Sequence, residues 1–238
     1  MSASLLLLSN SANPDAPYLA HAREWLAEAL QGCRTIAFVP FAAVTKPYDE
    51  YAARVREAFA DLPLAVRSVH ETDEPTRCVA QCDAVLVGGG NTFQLLRRMY
   101  RTGLMEAVRR AVSQGKPYVG WSAGANLASP TIRTTNDMPI AEPPTMEAFG
   151  FVPFQINPHY TDATPPGHMG ETRADRLAEF VALNSTPVVG LPEGTALRLH
   201  QGRLTRLGPH PPRLFTAEEP TGRPLEDADL SFLLHRTA

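Results

Sequence analysis

Short runs of wholly apolar residues alternate with amphipathic stretches through the first two thirds of the chain, and few architectures accept that rhythm. A strand buried on both faces reads as an unbroken apolar run, so helices must cover both sides of the sheet it joins. The expected strands are Leu5 to Leu8, Ile36 to Phe38, Leu64 to Val69, Ala84 to Val87 and Tyr118 to Trp121, then Phe154 to Ile156 and Val188 to Leu191. Helical spacing marks Leu19 to Leu30, Tyr48 to Leu62, a short stretch around Cys78, Met105 to Val112 and Thr172 to Leu183. Ala196 to His200 and Arg203 to Leu207 flank Gln201-Gly202 and predict a β-hairpin that closes the sheet edge. The expected fold is therefore α/β, with a mostly parallel central sheet and helices on both faces. One domain over residues 1–238 suffices, because a single core of this kind takes roughly 100 to 250 residues.

Composition excludes several functions. The 22 Lys+Arg stand against 25 Asp+Glu, a net charge of -3 with pI near 6.2, so no basic footprint marks nucleic acid as a partner. Leu5 to Leu8 falls far short of the ~20 apolar residues of a membrane span and lacks a basic flank or cleavage site. The expectation is a soluble, untargeted chain with no membrane partner. Cys33, Cys78 and Cys82 cannot all pair, which fits a reducing cytoplasm. Cys78 and Cys82 lie one helical turn apart, but no third or fourth ligand is near them, so neither a metal nor another cofactor is expected.

Gly120-Trp121-Ser122-Ala123-Gly124 matches G-x-S-x-G directly after a predicted strand and before a predicted helix at Ala125 to Ala128. Such a sharp turn leaves no room for side chains beside the serine. Gly120 and Gly124 therefore let Ser122 project its Oγ, while the Ala123 N–H faces a developing oxyanion. The bland alternative is an ordinary serine cap in a glycine-containing turn. Gly88-Gly89-Gly90-Asn91-Thr92 also joins a strand to a helix. It lacks the Lys-Ser/Thr of a phosphate loop and the G-x-G-x-x-G spacing, so beside the elbow Gly89 and Gly90 are better read as oxyanion donors.

A nucleophilic serine needs a base, and the chain has seven histidines. His159, in Asn157-Pro158-His159-Tyr160, ends a predicted strand, where open α/β folds place their sites. The orienting acid could be Asp137, Glu193 or Asp162. Glu193 lies just past a strand and before a glycine, which favours it over Asp137 in its polar loop; either could equally be a solvated loop carboxylate.

Residues 88–96 (Gly88 to Leu96), Gly120-Trp121-Ser122-Ala123-Gly124-Ala125-Asn126, Asn157-Pro158-His159-Tyr160 and Gly167-His168-Met169-Gly170-Glu171-Thr172-Arg173 resemble, in order, the sequence blocks of the peptidase E family, the α-aspartyl dipeptidases. The resemblance implies a class I glutamine-amidotransferase-like α/β fold of flavodoxin-like layering, with serine in place of that superfamily's cysteine. It also implies metal-free hydrolysis of Asp-Xaa dipeptides, with Ser122 as nucleophile and His159 as general base. For the third member it matches both Asp137 and Glu193. Arg173 becomes the partner of the aspartyl side chain, Asn91 a further substrate-binding residue, and Glu171 or Asp137 the partner of the free amine. The implied partner is a small peptide, and the chain is expected to be a monomer or homodimer. Two rivals are a cyanophycinase-like serine peptidase of the same superfamily and a non-catalytic amidotransferase-like module that binds a small acid. A generic α/β-hydrolase esterase is disfavoured by order, since Glu193 follows His159.

Overall fold

The computed structural model describes residues 3–164, 167 and 169–235. His168, within the fourth sequence block, lies outside the described residues. The chain runs through β1 (Leu5–Leu8), α1 (Arg23–Ala29), β2 (Thr35–Val39), α2 (Tyr48–Ala58), β3 (Ala65–Ser68), α3 (Pro75–Gln81), β4 (Ala84–Val87), α4 (Thr92–Arg101), α5 (Leu104–Ser113), β5 (Tyr118–Trp121) and α6 (Ala123–Asn126). It continues through β6 (Gln155–Tyr160), α7 (Arg173–Leu183), β7 (Val188–Pro192), β8 (Ala196–His200), β9 (Arg203–Leu207), β10 (Arg213–Phe215) and β11 (Arg223–Pro224).

Seven strands form the central sheet in the order β3-β2-β4-β5-β1-β8-β9. The first five are parallel, and the β8–β9 hairpin adds antiparallel beside β1, closing the edge as its sequence predicts. Successive side chains in a strand point to opposite faces. Leu6 and Leu8 accordingly pack with Leu26 of α1 and Val55 of α2, while Leu5 and Leu7 pack with Val79, Leu96 and Val108 of α3 to α5. All four leucines of β1 are at most 2 % exposed, each worth roughly 1.5–3 kcal/mol of apolar burial.

The expected strands near 154–156 and 188–191 do form, but in a second sheet of order β11-β10-β7-β6. Its inner face adds Ile156 and Val189 to the core beneath the central sheet, and its outer face carries α7 through Leu177 and Val181. The residues between α6 and β6 contain no crossover helix, and β8 takes the open edge of β1. A buried apolar run shows that a strand will be covered, not which neighbour covers it. The strands β10 and β11, three and two residues long, fall in the proline- and glycine-thick tail and carry no such run.

Helix boundaries shift locally. The first helix opens with a 3₁₀ turn at Ala20–Ala22, following Leu19 at φ 61°. Helix α2 stops at Ala58, short of the expected Leu62, and Pro63 bars helical ψ at Leu62 itself. The helix expected at Ala125 to Ala128 starts instead at Ala123, directly after Ser122.

Candidate active site

The carboxyl ends of β1, β4, β5, β6 and β7 deliver most of the residues described below, as expected at the carboxyl edge of parallel strands. Ser122 leaves β5 at φ 53° and ψ -114°, a conformation that costs a non-glycine residue on the order of 1–3 kcal/mol. Its N–H donates to the Leu8 carbonyl at 3.0 Å. The turn is tight enough that a Cβ added to Gly124 would stand 2.1 Å from the Val87 carbonyl oxygen, and one on Gly120 2.4 Å from that of Gly124. The buried Tyr118 hydroxyl donates to the same Gly124 oxygen at 2.6 Å and anchors the turn from below.

His159 reaches Ser122 from the second sheet. The β6–β7 register shifts between Pro158 and Tyr160, leaving His159 as the extra residue of a bulge at φ 55°. Bulges re-aim side chains, and here the imidazole turns towards the elbow. Its backbone N–H donates to Ser9 Oγ at 2.8 Å, and Ser9 Oγ in turn donates to the Leu191 carbonyl at 2.8 Å. Nε2 lies 2.9 Å from Ser122 Oγ, and Nδ1 lies 2.6 Å from Glu193 Oε1. A carboxylate can only accept, so Nδ1 carries the hydrogen and Nε2 is left to accept from Oγ. Asn10 Oδ1 accepts from the Gly194 N–H at 2.8 Å and steadies the turn bearing Glu193. Ser9 and Asn10 escaped the sequence reading; their one signal is a polar pair directly after a wholly apolar strand.

Asp137 lies elsewhere. Its Oδ2 accepts from the Thr92 N–H at 2.7 Å, Thr92 Oγ1 at 2.6 Å and Thr135 Oγ1 at 3.1 Å, so it caps α4 and has no hydrogen bond with His159. The preceding Asn136 does follow β6, donating to the Pro158 carbonyl at 2.7 Å. Asp162 meets the Tyr160 hydroxyl at 2.5 Å and Arg213 at 3.0 Å, again apart from His159. Of the three acids weighed, the structure brings only Glu193 to the imidazole.

The glycine loop abuts the elbow: a Cβ on Gly89 would lie 2.9 Å from Ser122 Cβ. A buried aromatic network holds it there. Trp121 Nε1 donates to the Tyr51 hydroxyl at 2.9 Å, and Tyr51 donates to the Gly89 carbonyl at 3.1 Å. Burial, reinforced by Tyr18, pushes the Tyr51 phenol well above its ordinary value, so it remains a donor. Asn91 also serves the loop. Its N–H donates to the Ala42 carbonyl at 2.8 Å, its Oδ1 caps α4 at Gln94, and its Nδ2 donates to the Met138 carbonyl at 2.9 Å. The Gly89 and Gly90 amides donate to no described residue, and Ala123, first in α6, has no intrahelical acceptor for its own.

Arg173 opens α7, half-buried behind the Thr172–Asp175 capping box. Burial and then Arg176 pull its guanidinium down while the Glu193 charge pushes it back up. Glu171 is exposed and lies 3.7 Å from Arg176. Ser122 and His159 themselves open into a cavity of about 480 Å³ whose lining includes Gly89, Gly90 and Asn91. Far from Ser122 in sequence, Asp49, His70 and Glu71 bring one ligand atom each within 4.8 Å of one another. Glu71 is engaged by Arg56 at 2.6 Å and His70 Nδ1 by Ser68 Oγ at 2.6 Å, leaving little ligating capacity there.

A strained serine at a strand-to-helix turn, with imidazole and carboxylate aligned behind it inside an α/β sandwich, defines a hydrolase of the serine type. The sequence profile of Peptidase family S51 matches residues 5–207. A protein named Peptidase E from Shewanella amazonensis (strain ATCC BAA-1098 / SB2B) is 46% identical over 230 residues, covering 96% of this chain and 98% of its own. Another Peptidase E, from Citrobacter koseri (strain ATCC BAA-895 / CDC 4225-83 / SGSC4696), is 47% identical over 216 residues, 90% of this chain and 94% of that one. The crystal structure of a peptidase from an acI-B1 Actinobacterium shares the fold at TM-score 0.69 and 18% identity, over 94% of each chain. The chain therefore belongs to peptidase family S51 and is a hydrolase acting on peptide bonds.

Proposed function

We propose that the chain is a serine dipeptidase that releases the N-terminal aspartate of Asp-Xaa dipeptides, with Ser122 as nucleophile, His159 as general base and Glu193 as the acid that orients it. The observation that carries this is the unbroken line from Ser122 Oγ through His159 to Glu193, at 2.9 and 2.6 Å. Oγ attacks the carbonyl carbon of the aspartyl residue as its proton passes to Nε2. The amides of Gly89 or Gly90 and of Ala123 hold the oxyanion, where loss of one donor typically costs ~3 kcal/mol. The C–N bond then breaks as the Nε2 proton passes to the leaving amine, and an aspartyl ester remains on Ser122. Water, deprotonated by His159, attacks that ester, and Oγ takes the proton back as aspartate leaves. No step calls for a metal. Residues from Ser9 to Glu193 converge on one site, which supports reading residues 1–238 as a single domain. Among the described residues no helix is long and apolar enough to cross a membrane.

The resemblance to the peptidase E sequence blocks, Glu171–Arg173 among them, supports aspartate as the residue read, with Arg173 on its side chain and Glu171 near the amine. The test is turnover of Asp-Leu beside Leu-Leu and N-acetyl-Asp-Leu, and the account predicts hydrolysis of the first alone. Equal turnover of Leu-Leu would contradict aspartate recognition. Arg173→Met is expected to lower kcat/KM for Asp-Leu by ~10- to 100-fold, the modest end for a charge pair because Arg173 is half open to water. Asn-Leu, a near-isostere without the charge, should change far less. Equal loss on both would make Arg173 a structural residue.

A further inference from the structure

Among the described residues, the wall of the cavity beside Ser122 carries cations and no acid. Lys46, on the β2–α2 connection, and Arg54, on α2, line it, whereas no described Asp or Glu does. Neither cation has an ion-pair partner among the described residues, although Arg56, two residues further along α2, is paired with Glu71 at 2.6 Å. Arg54 is also held in place. Its guanidinium carbon lies 4.3 Å over the Tyr18 ring, and the Tyr18 hydroxyl reaches Tyr51, the residue that fixes the Gly89 carbonyl. Stacking occupies the guanidinium face and leaves its N–H edges for a planar anion. Val44 and Ile140, 54% and 56% exposed, supply an apolar rim to the same cavity.

We propose that Lys46 and Arg54 bind the free C-terminal carboxylate of the residue that leaves, with Val44 and Ile140 against its side chain. The inference rests on the dipeptidase reading above. An Asp-Xaa dipeptide carries two carboxylates, and the structure offers cations in two places. Arg173 is not among the residues that line this cavity. The leaving nitrogen must lie at Nε2 to take its proton, and its residue's carboxylate is only two bonds further on. That carboxylate therefore stays in the cavity into which Ser122 and His159 open.

The test compares kcat/KM for Asp-Leu, Asp-Leu amide and Asn-Leu in the wild type, in Lys46→Met, in Arg54→Met and in the double variant. The wild type is expected to prefer the free acid over the amide by ~10- to 100-fold, and each single change to cut that ratio by ~3- to 10-fold, mainly through KM. The double variant should bring the ratio near one. A wild type that cleaves acid and amide equally overturns the subsite. So does a loss in the double variant that is large for Asp-Leu and small for Asn-Leu, which would assign these cations to the aspartyl side chain. Should the double variant not fold, Lys46→Met alone, on an exposed connection, still reads the ~3- to 10-fold fall in that ratio, and an unchanged ratio there overturns the subsite. A wild type that turns over no Asp-Leu overturns the dipeptidase reading itself, and does so before any variant is made.

Discussion

Ser122→Ala is expected to abolish turnover of Asp-Leu while leaving the fold intact. Among the described residues its Oγ hydrogen-bonds only His159 Nε2, and the bond that ties the elbow to β1 runs from its backbone N–H to Leu8. Alanine can keep that backbone bond and adopts the same φ at similar cost. Loss of a triad nucleophile typically removes ~10⁶ in kcat, about 8 kcal/mol of barrier. The thermal midpoint should move by no more than ~2–4 °C, the shift that ~1 kcal/mol produces in a chain of this size. Steady-state kinetics with aspartate detection checks the first part and thermal melting the second. A folded variant that keeps more than about a hundredth of wild-type kcat would remove Ser122 from the chemistry.

Glu193→Gln should be nearly as damaging, at ~10³ to 10⁴ in kcat. The amide can present a donor to Nδ1, which moves the imidazole hydrogen to Nε2 and leaves nothing to accept the Ser122 proton. The site is open, with the His159 and Glu193 side chains 37% and 58% exposed, so some of the correct tautomer survives and the lower part of the range is reasonable. Asp137→Asn keeps an acceptor for Thr92 and has no hydrogen bond with His159, so its kcat should stay within ~10-fold of wild type. Measuring both variants on Asp-Leu decides between the acids. A larger loss for Asp137→Asn would reverse their order.

The residues that announced themselves did so through short-range chemistry. The strands Leu5–Leu8, Ala84–Val87, Tyr118–Trp121, Ala196–His200 and Arg203–Leu207 lie where their apolar runs and glycine punctuation place them, because each run is bounded by residues that end a strand. Ser122 was legible because its constraint is carried within five residues. What stayed hidden depends on register and on partners far along the chain. The bulge at His159 exists only relative to β7, and Ser9 supports it from 150 residues away. The Trp121–Tyr51 bond spans 70 residues. Asp137 and Glu193 are both polar loop acids in sequence; only the packing of residues 134–137 along β6 shows that Asn136 follows the strand while Asp137 turns to α4. The same blindness to partners merged the two sheets into one alternation.

The central claim is that Ser122 is a nucleophile activated by His159, and a serine-directed phosphonate tests it most directly. Peptide mapping by mass spectrometry after incubation should find one adduct, on Ser122, forming in step with loss of Asp-Leu hydrolysis. It should be absent from Ser122→Ala and strongly slowed in His159→Ala. An adduct on another residue, or full loss of activity with Ser122 unmodified, would contradict the account.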